Sequence, residues 1–467
     1  MSNFFKYLII LIILANCSLD TKSGIWTKEK DTVVEKNNDN KVFVEIFSKD
    51  KTLDKEFNSK LKVKLSTKLI DNNIGKNLTN NNGRINYDGK LKKISSFKFS
   101  KVNNFKYHEP ELIFEGDNLF FFDKHGSIIK FDATSKIIWK KNFYNKQEKK
   151  QNLNLNFAKN STTLIVADNI SKYYALDVNN GNLLWSKYNS SPLNSQIKTY
   201  KDKFFMIDFN NVLKSFSIKD GSELWSLKSN NTFIKSEKKL SLVIVNDVLY
   251  FNNSAGDITA VNVNNGQMLW QTPTQNSSIY ENTFLLKTSN IVANNEMLIF
   301  SNNKNEFYSL DLISGNFKWK QKINSNLQSS IINDLIFSVS NEGYLLLIDN
   351  KNGNIIRATD IFGESNYRKN KGSKTNFLNN KKINPLYIFD KKNIKQKKNS
   401  LKFQPTGFIV GKNNVYLTTT HGRLFVIDIE SGKTKLIIKV DNKKISSPFV
   451  FNNNLFLIKE DSIIKLD

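Results

Sequence analysis

One phrase recurs along this chain of 467 residues: an apolar alternation ending in Asp or a close substitute, then a turn, then a Trp. Aligned on the residue that ends the alternation, the copies fall at Asp132, Asp177, Ser217, Asn262, Asp311, Asp349, Asp428 and Asp467. Four residues on stands Gly181, Gly221, Gly266, Gly315, Gly353 or Gly432. Eight residues on stands Trp185, Trp225, Trp270 or Trp319, with Arg357 and Leu436 at that place in later copies. The first copy, FDATSKIIW, is one residue shorter and lacks the Gly, so Trp139 falls seven on. Five of the six tryptophans thus share one repeat position, which chance does not produce. The chemistry is that of a hairpin: a carboxylate accepts from turn N–H groups, Gly supplies positive φ, and Trp brings a large surface to bury.

Six residues before each anchor a second turn-former recurs: Gly126, Ser171, Asn211, Gly256, Asn305, Gly343, Gly422 and Asp461. A further alternation lies upstream of each, so every unit holds three or four short antiparallel strands, here a to d. Anchor spacings run from 38 to 49 residues, with one interval of 79. Four-stranded units of about 40 to 45 residues build β-propellers. The pattern therefore predicts an all-β fold, an eight-bladed propeller over residues 94–467, each Trp filling the gap to the next blade. The long interval holds residues 364–400, dense in Lys and Asn and lacking the Gly and Trp positions; they are expected to be a basic insertion rather than a ninth blade. The last copy ends at Asp467 without a strand d. ISSFKFSKV, Ile94 to Val102, is expected to supply it and to set Phe97 and Phe99 where a blade carries its packing aromatic. Residues 18–40 suit a flexible tether. In 41–93, KVFVEIF and KLKVKLSTKL are candidate extra strands outside the ring.

The formal charge of +26 is spread over Lys among Asn and Ile, with no RNA-recognition signature, zinc spacing or basic helix, so no nucleic-acid partner is expected. Cys17 is the sole cysteine, which excludes an intrachain disulfide and a cysteine metal cluster. It ends a short basic start and an apolar run, Tyr7 to Leu14, far below the roughly 20 residues of a bilayer-spanning helix but suited to a signal peptide over 1–17. Leu14-Ala15-Asn16-Cys17 resembles a bacterial lipoprotein processing box, which implies a lipid on Cys17. Ser18 after it implies the outer membrane, facing the periplasm.

The motif A-L-D-x-x-x-G-x-x-x-W resembles the quinoprotein-type (PQQ-like) propeller repeat, and eight such repeats behind a lipoprotein signal resemble the BamB family. The local likeness is strongest in GDITAVNVNNGQMLWQ, Gly256 to Gln271. This resemblance implies a non-catalytic scaffold of the outer-membrane β-barrel assembly machinery, a monomer within a complex. It would dock on the periplasmic domains of the barrel-insertion protein, beside other assembly lipoproteins. The family's docking loops enter the fourth and fifth blades. The matching positions here are Thr232 to Glu237, with Phe233, Ile234 and Lys235 as the contacts, and Leu285 to Lys287, where the family's two aspartates are absent. Two other readings stand beside it: a propeller lipoprotein binding cell-envelope polymers or anionic lipid, and a PQQ-dependent dehydrogenase. Against the enzyme, the anchor carboxylates recur in six of the eight blades, and His125 and His421 share one turn position in different blades. No catalytic residue, cofactor or metal ligand is predicted.

Overall fold

In the computed structural model the described residues are 34–36, 42–44, 55–65, 69–70, 82–103, 105, 110–229, 238–274, 286–363 and 403–467. The chain divides into a small unit, Met1–Lys51, and a large one, Thr52–Asp467. In the small unit Val34–Lys36 pairs antiparallel with Val42–Val44, so the KVFVEIF stretch finds its partner upstream of itself.

The large unit contains eight four-stranded antiparallel sheets. In chain order the blades span Ile113–Lys141, Leu155–Tyr188, Lys198–Lys228, Leu242–Thr272, Val292–Gln321, Ser330–Asp360, Pro405–Lys439 and Phe449–Leu466. The eighth takes its strand d from Lys93–Lys98, antiparallel to Ser462–Leu466. Strands b and c are almost wholly buried, whereas d alternates, as in Leu183–Tyr188, because only one of its faces meets a neighbour.

Every blade carries a β-bulge between c and d, in the pair of residues just before the anchor, as between Ala175 and Leu176. The extra residue sharpens the right-handed twist, which lets outer strands diverge while the a strands stay close around the axis. The extra residue at the bulge, Ile138, Leu184, Leu224 or Leu269, is exposed, as are Ile137, Leu183 and Met268 before it.

The closing strand lies one pleat away from its expected register. In blades 1 to 5 Trp faces the residue two before the anchor, as Trp185 faces Ala175. In the eighth blade Ser95 faces Lys465 there, and Phe97 faces Ile463. Phe97 still seals the gap, edge-on to Phe131 of blade 1 at 5.5 Å and beside Phe456 at 6.2 Å. Phe99 packs on Phe121 at 4.6 Å. The turn before this strand is rebuilt from distant segments. In blades 2 to 7 the anchor N–H donates to the residue five on, and the Gly N–H donates back to the anchor, as in Asp177 to Asn182 and Gly181 to Asp177, both 2.9 Å. Here Asp467 N–H donates to Lys92 and Leu91 N–H to Asp467, both 3.0 Å, with Leu91 at φ +58 in the glycine's role.

Residues 55–65 follow the outer edge of blade 6, and the described parts of residues 69–92 run over one face of the ring. Leu69–Ile70 pairs parallel with Arg84–Ile85; Lys60–Leu65 forms no strand. Asn82 bridges Ile331 in strand a of blade 6. Arg84 donates to Lys412 at 2.9 Å, Asp88 accepts from Asn413 and Asn414, and Tyr87 OH reaches Asp467 at 2.9 Å. These contacts fall at a–b turns, c–d turns and axial strands. Antiparallel order places the d–a connections and b–c turns on the opposite face.

Candidate functional site

The repeated residues meet at the seams between blades. Six of the anchors cap their own turn: Asp177 Oδ1 accepts from the N–H groups of Asn179 and Asn180 at 2.9 and 3.0 Å. Asp132, Asp311, Asp349 and Asp428 accept in the same way from Thr134, Ser314, Lys351 and Ser431. Burial raises the Asp428 carboxyl, but bonds from Lys435 and Ser431 outweigh it and hold the group below its ordinary value. Each Trp lies on the Gly of the following blade. A Cβ on Gly221 would stand 2.6 Å from the Trp185 ring, and the pairs Trp139–Gly181, Trp225–Gly266, Trp270–Gly315 and Trp319–Gly353 repeat this. The indole N–H then donates forward to that blade's turn carbonyls, Asn179, Ile218, Val263, Leu312 and Asn350, at 2.8–3.3 Å. Arg357 takes over in blade 6: it lies beside Gly432 and donates to Ile429 at 2.8 Å and to Glu430. Leu436 at the same place in blade 7 is half-exposed.

A third periodic position is hidden among the apolar strands of the sequence. Nine residues before the anchors stand Asp123, Asp168, Asp208, Asn253, Asn302, Ser340 and Thr419, the b–c turn caps. Asp168 Oδ1 accepts from Ile170 and Lys172 N–H, both 2.9 Å, and Oδ2 from Tyr144 OH at 2.7 Å. Burial raises its pKa despite these bonds. The signal for it is a column of short polar residues ending strand b.

Four d–a connections include residues outside the described ones: 104 and 106–109 into blade 1, 230–237 into blade 4, 275–285 into blade 5, and 364–402 between blades 6 and 7. Phe233, Ile234, Lys235 and the insertion lie outside the described residues, as does Cys17. At the edge of the connection into blade 5 Leu286 is buried, and Lys287 N–H donates to Asn303 Oδ1 at 2.8 Å, tying the chain to the b–c turn of blade 5. His125 and His421 both sit in b–c turns, in blades 1 and 7; His421 meets Thr420 Oγ1 at 3.1 Å and the edge of Phe403.

Glu111, in the connection leading into blade 1, joins Lys239, in the one leading into blade 4, at 3.1 Å and Gln196, in the one leading into blade 3, at 3.2 Å. Beside them enclosure pushes Lys198 down from 10.5 to about 8, with Glu111 opposing the shift and Lys239 adding to it. Among the described residues no group of three or more His, Cys, Asp or Glu is placed to hold a metal ion. The Glu111 carboxylate is shared between an ammonium and an amide, a pairing that does not fit metal ligation by this group.

The closed ring and its indole-on-glycine seams define a class: eight-bladed propellers of PQQ-type repeats. Within that class the chain belongs to the family of outer membrane protein assembly factor BamB, whose sequence profile matches residues 124–359, just over half of its length. The outer membrane protein assembly factor BamB of Moranella endobia is 22% identical over 193 residues, 41% of this chain and 50% of that protein. The chain thus spans half the length of that relative. The crystal structure of BamB from Moraxella catarrhalis superposes with a TM-score of 0.61 at 12% identity, covering 81% of this chain and 100% of that one. The quinohemoprotein alcohol dehydrogenase of Comamonas testosteroni superposes with a TM-score of 0.57 at 10% identity, covering 83% and 78%. A europium-containing methanol dehydrogenase gives 0.58 at 10%, covering 80% and 86%. These last likenesses are of fold.

Proposed function

We propose that the protein is a non-catalytic, lipid-anchored scaffold of the outer-membrane β-barrel assembly machinery. It is held through Cys17 on the periplasmic face of the outer membrane and docks on the periplasmic domains of the barrel-insertion protein. The observation that carries this reading is the BamB-family match on a ring whose recurrent Asp, Gly and Trp are consumed by turns and seams. What such a ring offers is surface. Docking is assigned to the face of the d–a connections, on which Ser229 and Lys238 flank residues 230–237 and Thr274 and Leu286 flank residues 275–285, opposite the face that residues 69–92 cross.

Affinity recovery of the lipidated protein from outer membranes tests the reading. Co-purification of the barrel-insertion protein, lost on deletion of 230–237, is the expected result. Recovery of lipopolysaccharide or cell-wall polymer without that protein would instead support the envelope-binding reading, which the +26 charge favours. Dye reduction with added PQQ, calcium and an alcohol would overturn the non-catalytic part.

A further inference from the structure

Arg357 stands where four preceding blades carry a Trp at the same spacing, and it does two jobs where the indole does one. Its Nη2 and one Nη1 bond reach blade 7, at Ile429 and Glu430, as an indole would. Nη1 also donates to the carbonyl of Leu61 in the N-terminal extension at 3.0 Å. The side chain is fully buried. Around this point Lys55–Leu65 lies along the outer edge of blade 6. Phe57 and Ala358 exchange backbone hydrogen bonds of 3.1 and 2.9 Å, and Asn58 Nδ2 donates to Ile356 at 3.3 Å. Glu56 accepts from Asp360 N–H at 3.1 Å. Val63 N–H then crosses the seam to Glu430 in blade 7 at 3.0 Å. Phe57 and Leu61 remain 49% and 42% exposed, so polar contacts, not apolar burial, hold this segment at those positions.

From this geometry we propose that Lys55–Leu65 is a strap tied to Arg357 across the seam of blades 6 and 7, and that it shields the closing strand from pull on the N-terminal side. The physical need follows from the closure. Lys93–Lys98 is the strand nearest the N-terminal side in the ring, and a pull through Lys92 unzips it from Ser462–Leu466 one pair at a time, beginning at Lys93–Leu466. The strap meets such a pull first, on a blade whose four strands are continuous in the chain. Only the origin of the pull, a lipid on Cys17, rests on the function proposed above.

Arg357→Trp restores the residue of the other blades and leaves Leu61 without its donor. Trypsin reads the strap directly, since it contains Lys55, Lys60, Lys62 and Lys64. In the full chain the variant should keep a cooperative melt while cleavage at these lysines becomes about tenfold faster, because proteolysis follows the open population. Unchanged cleavage with an intact melt overturns the tie to Arg357. If Arg357→Trp fails to fold, Phe57→Pro, which removes one edge hydrogen bond outside the ring, should give the same faster cleavage; unchanged cleavage there overturns the strap itself. For the shield, the unlipidated full chain is held through Cys17, its only thiol, and pulled from a tag inserted in the exposed turn at Lys219 and Asp220 of blade 3, so that force reaches the closing strand only from its N-terminal side. The parent should show a strap-release step before the ring opens, and either variant should lose that step. Identical traces in parent and variant overturn the shielding role. None of these readouts involves the assembly partners, so their failure and that of the scaffold reading remain separate.

Discussion

At the scale of single residues, the seams give each repeat position two reasons to be what it is. Gly221 has φ +69 and lies under the Trp185 ring, whereas Gly116 has φ +52 and open space within 4 Å of where a Cβ would stand. Comparing them separates the two effects. Gly116→Ala should cost about 1 kcal/mol, the left-handed strain alone, and Gly221→Ala about 2 to 4 because the indole must also move; denaturant midpoints check both. Lys198 provides a pH test. Unfolded, its ammonium holds a proton up to about 10.5; folded, only to about 8, so unfolding takes up a proton between these values and stability rises with pH across that window. Lys198→Met should remove this rise relative to the parent, read as melting temperature from pH 8 to 10.5. The anchor, Gly and Trp columns were legible because their chemistry is local. Arg357 was not: as a letter it looks like a lost Trp, and its second bond is to a residue 296 positions away.

For elements, strand order and most turn positions followed from alternation and turn-formers. The b–c residues Ser171, Asn211 and Asn305 adopt the same left-handed φ as the glycines they replace. The closing strand was also foreseeable, since a final blade without strand d needs one. Its register was not. Nothing in the residue pattern aligns Ser95 with a Trp position, because Phe97 and Phe99 are the conspicuous residues, and Leu91 hides a turn position that usually takes Gly. What fixes the register is the contact of Asp467 with Leu91 and Lys92, made between segments with the whole ring between them. Phe97→Ala should cost about 3 to 5 kcal/mol. Hydrogen exchange should show the loss concentrated in Lys93–Lys98 and Ser462–Leu466 rather than shared among the seams.

For the whole molecule, eight units and a closed ring were readable from spacing alone, whereas the path of the N-terminal extension over one face was not. That path uses single backbone bonds and side chains such as Arg84 and Asp88, which leave no periodic trace. The scale also sets the expected electrostatics. A chain of formal charge +26 should bind vesicles containing anionic lipid more tightly than neutral ones. Binding should weaken steeply between about 0.05 and about 0.5 M salt as the screening length contracts. Deleting 364–400 should flatten that dependence, measured by vesicle sedimentation.

The pairing of Lys93–Lys98 with Ser462–Leu466 has one more consequence. The strand made early in synthesis must wait for one made after the other seven blades, so its edge stays unpaired in the meantime. Circularisation is then a terminal event, rate-limited by the encounter of remote segments. A chaperone that shelters this waiting strand should matter more to the yield of this protein than one that assists any single hairpin.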